Sequence, residues 1–113
     1  MEHDWVVKPW GRFKVLFENK DVTVKIIEVN PGECLSLQSH RFREEMWTTC
    51  DEHAIIQQEE TYSFPSAKKT FFIPIGMKHR LFARVAMTRI VEVSYGKFDE
   101  NDIIRYEDKY SRV

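Results

Sequence analysis

Short alternating runs, each closed by turn residues, recur along the whole chain, and no window of about fifteen residues carries a helical stripe. The runs fall at 12–17, 22–26, 34–40, 45–50, 53–58, 61–64, 70–73, 79–83 and 88–94, and they are rich in Phe, Tyr, Trp, Val, Ile and Thr. Such residues favour strands, and many short strands at close spacing mean an all-β sandwich or barrel. At Ile27-Glu-Val29 the alternation of the second run changes phase, which predicts a bulge or burial on both faces. Asn30-Pro31-Gly32 and Asp51-Glu52 read as turns. One exception is expected near the C-terminus, a single helical turn over 99–104 capped by Asp99 or Asn101.

The 113 residues make one domain, and a hydrophobic share of 42% is enough for a core. It divides into an N-terminal arm over about 1–11, a barrel over 12–96 and a closing segment over 97–113. With 17 basic against 18 acidic residues, nothing draws the chain toward nucleic acid or an anionic membrane. No apolar run is long enough to span a bilayer, and Met1 to Trp5 does not open a secretory signal. A cytoplasmic protein is therefore expected. Cys34 and Cys50 are too few for a disulfide framework and read as reduced thiols packed as small hydrophobes. Strand parity also turns them to different sides of the sheet.

Four residues have the spacing of a metal site. Residues two apart on a strand point the same way, so Gln38 and His40 share a face. Glu45 follows across a tight turn, and His79 arrives from a distant strand after Pro74-Ile-Gly76. Imidazole, carboxylate and amide oxygen suit Zn²⁺, Mn²⁺, Co²⁺ or Fe²⁺.

Longer motifs surround these residues. Pro31-Gly32-Glu33-Cys34-Leu35-Ser36-Leu37-Gln38-Ser39-His40, followed by Arg43, Glu45 and Trp47, resembles the first motif of the cupin domain of type II phosphomannose isomerases. The same domain forms the C-terminal part of bifunctional mannose-1-phosphate guanylyltransferase/isomerases. Phe72-Ile73-Pro74-Ile75-Gly76-Met77-Lys78-His79 is similar to the second motif, and Lys8-Pro9-Trp10-Gly11 to the opening one. Glu92-Val93-Ser94-Tyr95-Gly96, then Asp102-Ile103-Ile104-Arg105, Asp108, Tyr110 and Arg112, resemble the closing signature. The chain departs from the pattern at Met46, where the family has His, and at Thr49-Cys50-Asp51, where its turn carries Gly.

The resemblance implies a cupin jelly-roll barrel of two antiparallel sheets. It carries the role of divalent-metal ligand onto Gln38, His40, Glu45 and His79. It also implies interconversion of mannose 6-phosphate and fructose 6-phosphate through an enediol. The C2 proton then needs a base. Glu92 is the candidate, with Arg43 and Lys78 placed to contact reacting oxygens. Arg105, Arg112 and Trp47 are the candidates for holding the sugar phosphate. Cupin relatives often form homodimers, and the apolar start Trp5-Val-Val7 with Trp10 suits an exchanged edge strand. Two other functions stay open: a non-catalytic cupin that binds a sugar or sugar nucleotide, and another metal-dependent cupin reaction. No Gly-rich phosphate loop occurs in the sequence, so guanylyltransferase chemistry is not expected of it.

Overall fold

Residues 3–96, 99 and 101–110 are described by the structure, a computed structural model. Its described residues form eleven strands and no helix: β1 (Val6–Lys8), β2 (Gly11–Glu18), β3 (Val22–Val29), β4 (Leu37–Ser39), β5 (Arg43–Thr49), β6 (Ala54–Gln58), β7 (Thr61–Ser63), β8 (Thr70–Ile73), β9 (His79–Ala83), β10 (Thr88–Gly96) and β11 (Ile104–Glu107). Two antiparallel sheets result, one in the order β1-β2-β3-β10-β5-β8 and one in the order β11-β4-β9-β6-β7. Apart from the β1-β2-β3 and β6-β7 pairings, adjacent strands are distant in sequence, as in a jelly roll.

Alternation explains which side chains fill the barrel. On β5, Arg43, Glu45, Trp47 and Thr49 are buried, while the residues between them are only half-buried. Trp47, Ile56, Ile73, Leu81, Ile90 and Val29 are almost wholly removed from solvent and form the centre of the core. The phase change in β3 is burial on both faces. Ile27 and Val29 face the core, and Glu28 is buried on the outer side, where Arg12 reaches it. The bulge lies instead on β2, where the register with β3 shifts between Val15 and Phe17.

Three expectations need correction: the extent of the strand over 34–40, the helical turn over 99–104 and the packing of Cys50. The run over 34–40 is a strand only at Leu37–Ser39, with an isolated bridge from Cys34 to Phe82. Its first half is irregular, so Leu35 and Ser36 both reach the interior. The helical turn over 99–104 is one hydrogen-bonded turn, from the Asp102 N–H to the Asp99 carbonyl, after which the chain extends into β11. Asp99 does cap it, through its side chain and the Asn101 N–H. The arm's apolar start is β1, paired with β2 of the same chain. Both cysteines are free as expected, Cys34 buried, but Cys50 is exposed rather than packed.

Candidate metal centre

His40, Glu45 and His79 come together inside the barrel from three places in the sequence. Glu45 points inward from β5 and His79 from the first position of β9, while His40 immediately follows β4. Their ligand atoms all lie within 4.8 Å of one another. His79 Nε2 stands 3.4 Å from Glu45 Oε1, and His40 Nε2 stands 3.6 Å from Glu45 Oε2. All three residues are buried.

Backbone carbonyls orient both imidazoles. His79 Nδ1 lies 2.9 Å from the Met77 carbonyl, and His40 Nδ1 lies 2.6 Å from the Asp102 carbonyl. A carbonyl can only accept, so each Nδ1 carries the hydrogen and each Nε2 presents a lone pair. Gly76, at φ 83°, makes the turn before β9, and its N–H bonds the His40 carbonyl at 2.9 Å. That contact joins the two histidine-bearing segments; a side chain at this φ would be strained.

Two imidazole lone pairs and a carboxylate thus converge in a buried space. Glu45 Oε1 and His79 Nε2 find no hydrogen-bond partner. Buried polar atoms are normally satisfied, and acceptors facing acceptors repel. A divalent cation would satisfy all of them together, so the residues fit the group expected from the sequence. Burial pushes Glu45 toward protonation, but the positive charge around it, Arg43's included, outweighs it and holds the carboxyl below its usual range. Burial, helped by Arg43 and opposed by Glu45, lowers His40 to about 4, which keeps it neutral and ready to ligate.

His40 and Glu45 of this cluster line a cavity of about 380 Å³, within the range usual for small-molecule sites. Gln38 lines it, opposite His79 in the β4–β9 pairing. Glu92 lines it from β10 and is 5% exposed; the Ser94 hydroxyl donates to its Oε1 at 3.1 Å. Burial, reinforced by the Glu45 charge, raises Glu92 to about 7. Arg43 is buried beside the cluster, its Nε 3.2 Å from Glu45 Oε2 and its Nη1 donating to the Asp99 carbonyl. Arg105 lines the cavity across from Gln38, and its Nε is buried with no partner.

Two residues expected in the site lie elsewhere. Trp47 is absent from the cavity wall; it is fully buried in the core and meets the His79 ring edge-on, centroids 5.3 Å apart. It packs against the His79 ring instead of lining the cavity. Lys78 is exposed, with its N–H bonded to Glu59 and its ammonium 4.4 Å from the Tyr106 ring centroid. The flip between Lys78 and His79 is strand alternation: inward His79 forces its predecessor outward. Arg112 lies outside the described residues. The residue missed is Lys25, which lines the cavity next to Glu92 in the β3–β10 register. Its signal was parity, since Lys25 shares a face with Ile27 and Val29. Lys8 of the arm also lines the cavity.

An antiparallel jelly roll with two imidazoles and a carboxylate converging inside it defines a barrel of the cupin class. Solved structures agree on the fold. The capsular polysaccharide assembling protein CapF from Staphylococcus aureus superposes with a TM-score of 0.83 at 17% identity, over 93% of this chain and 34% of CapF. A double-stranded β-helix protein from Klebsiella pneumoniae gives 0.72 at 18% identity, over 84% of this chain and 83% of its own. The family model for the mannose-6-phosphate isomerase C-terminal region matches residues 1–108, and the chain belongs to that family. Xanthan biosynthesis protein XanB of Xanthomonas campestris is 34% identical over 98% of this chain and 24% of its own length. Mannose-1-phosphate guanylyltransferase ManC of Salmonella typhimurium is 32% identical over 98% of this chain and 24% of its own. The chain thus spans about a quarter of the length of these curated relatives.

Proposed function

We propose that this chain is a metal-dependent sugar-phosphate isomerase interconverting mannose 6-phosphate and fructose 6-phosphate. The observation that carries the reading is Glu92. This buried carboxylate faces the same cavity as His40 and Glu45, and burial raises its proton affinity above that of an ordinary carboxylate. A general base works best when its pKa lies close to the working pH.

His40, Glu45 and His79, with Gln38 as the fourth ligand, would hold the cation. Bound there, a divalent ion supplies Lewis-acid stabilisation of negative charge on the sugar's O1 and O2. Glu92 takes the proton from C2 and returns it to C1, while a proton passes from the O2 hydroxyl to O1. The two sugars therefore exchange with no net gain or loss of protons. Arg43 places a second positive charge at the forming enediol. Arg105, with its buried and unpartnered Nε, is the donor best suited to the phosphate. Lys25 and Lys8 add positive charge to the same cavity.

The test is proton NMR of mannose 6-phosphate in D₂O with the metal-loaded protein. Loss of the C2 proton signal or growth of fructose 6-phosphate is expected. Glu92→Gln should slow this by about 10²–10⁴-fold. If Zn²⁺, Mn²⁺, Co²⁺ and Fe²⁺ all leave the C2 proton in place, the isomerase reading falls and a sugar-binding role replaces it.

A further inference from the structure

The two imidazoles of the cluster are oriented by different means. The acceptor for His79 is Met77, two residues away on the same loop. The acceptor for His40 is the Asp102 carbonyl, 62 residues further along the chain. The geometry of His79 is therefore local, whereas that of His40 depends on the C-terminal segment staying in place.

Asp102 grips the barrel with its side chain as well. Its Oδ1 accepts the Arg41 N–H at 2.8 Å, and its Oδ2 accepts the Phe42 N–H at 3.0 Å. Arg41 and Phe42 are part of the turn that separates His40 from Arg43 and Glu45. The carboxylate thus clamps the connection whose shape sets the spacing of His40 and Glu45. Asp102 is 8% exposed, so little water reaches these bonds. Alternation gives the segment a second face: Asn101, Ile103 and Arg105 line the cavity while the Asp102 carboxylate faces the turn.

We infer that Asp102 is a positioning residue of the metal centre: its carbonyl fixes the ring of His40, and its carboxylate locks the turn between His40 and Glu45. The inference rests on the reading that this cluster holds a divalent cation. Partners that orient metal-binding imidazoles typically contribute a factor of about 10–100 in affinity. The segment has other anchors, the β11–β4 pairing and the Tyr110 hydroxyl donating to Glu33 at 2.7 Å. Removing the Asp102 carboxylate should therefore loosen the turn without releasing the segment.

The experiment compares the full chain with Asp102→Ala and Asp102→Asn in three measurements: Co²⁺ affinity by chelator competition, the His40 tautomer by ¹⁵N NMR without metal, and thermal melting without metal. Asp102→Ala should bind Co²⁺ about 10–100-fold more weakly. Asp102→Asn, which keeps one acceptor, should fall between it and the parent. In the metal-free parent, His40 should carry its hydrogen on Nδ1, and Asp102→Ala should mix the tautomers. A lower melting temperature with unchanged Co²⁺ affinity and unchanged tautomer would overturn the inference, leaving Asp102 a purely structural anchor. If the parent binds no Co²⁺, the metal reading fails, and the His40 tautomer still decides whether Asp102 orients the ring. If Asp102→Ala does not fold, Asp102→Asn carries the comparison.

Discussion

Glu28 and Glu45 are both buried carboxylates of the larger sheet, and they are surrounded in opposite ways. Glu28, on the outer face of β3, accepts from Arg12 Nε at 2.6 Å and Arg89 Nε at 2.9 Å. Those two guanidinium groups are nearly half exposed, so the network opens to water. Glu45, on the inner face of β5, accepts from Arg43 Nε at 3.2 Å on one oxygen, while its other oxygen has no partner and faces His79 Nε2. Burying a carboxylate therefore does not by itself mark a site. What marks one is whether each of its oxygens finds a donor. Around Glu28 both do, and the charge is closed off. Around Glu45 one oxygen does not, and a cation would complete the arrangement.

Cation affinity is where the two should differ most. Glu45→Gln should weaken Co²⁺ binding by more than the 100-fold upper range of outer-shell changes, whereas Glu28→Gln should leave it within about twofold, both read by competition titration. Equal losses in the two variants would dissolve the comparison.

A smaller effect concerns Glu92, which shares the cavity with Glu45. Its folded pKa is raised from 4.5 to about 7, so the metal-free folded state holds more protons than the unfolded chain between those values. Stability from this group accordingly falls as pH rises from about 4.5 to 7, then levels. Glu92→Gln should match the parent below that window and exceed it above, by about 3 kcal/mol, in urea melts of metal-free protein. His40 adds an opposite slope. Its depressed pKa means stability is lost as pH falls from 6.5 through about 4. Both proteins carry His40, so the difference between them isolates Glu92. A difference that does not vary with pH would mean Glu92 titrates as it would in water.

The smallest effect sharpens the closed side. Glu28→Ala should cost about 1–2 kcal/mol, because Arg12 and Arg89 lose their acceptor but remain hydrated. Burial pushes the Glu28 carboxyl up, but Arg12 and Arg89 outweigh it and hold it below 4.5. Its contribution is thus present above that value and lost as pH falls through the lowered one. The gap between parent and variant in urea melts should close in acid.

Much of the fold could be read from period-two patterning. The expected strands at 70–73 and 79–83 coincide with β8 and β9, and those at 12–17 and 88–94 are close to β2 and β10. Parity also put Gln38 and His40 on one face, and both line the cavity. It misled where alternation stops, as at Leu35 and Ser36, where the backbone leaves the strand. It could not separate the two uses of an inward aromatic: Trp47 and Trp10 are both buried, yet only Trp10 reaches the cavity. Lys78 was misplaced because a loop residue before a strand was weighed by its neighbour rather than by its own parity.

By itself the sequence determined the all-β architecture, because strand periodicity is a local property repeated along the chain. It also determined which residue types could ligate, because their spacing on strands is rigid. Only the tertiary structure decided that Glu45 Oε1 and His79 Nε2 face each other without donors. It alone showed that Lys25 joins Glu92 in one cavity, and that Asp102 closes the turn beside His40. The reason is sequence distance: each of these contacts joins segments separated by 34 residues or more. Such pairings are set by how two sheets close around a core, and no local pattern records them.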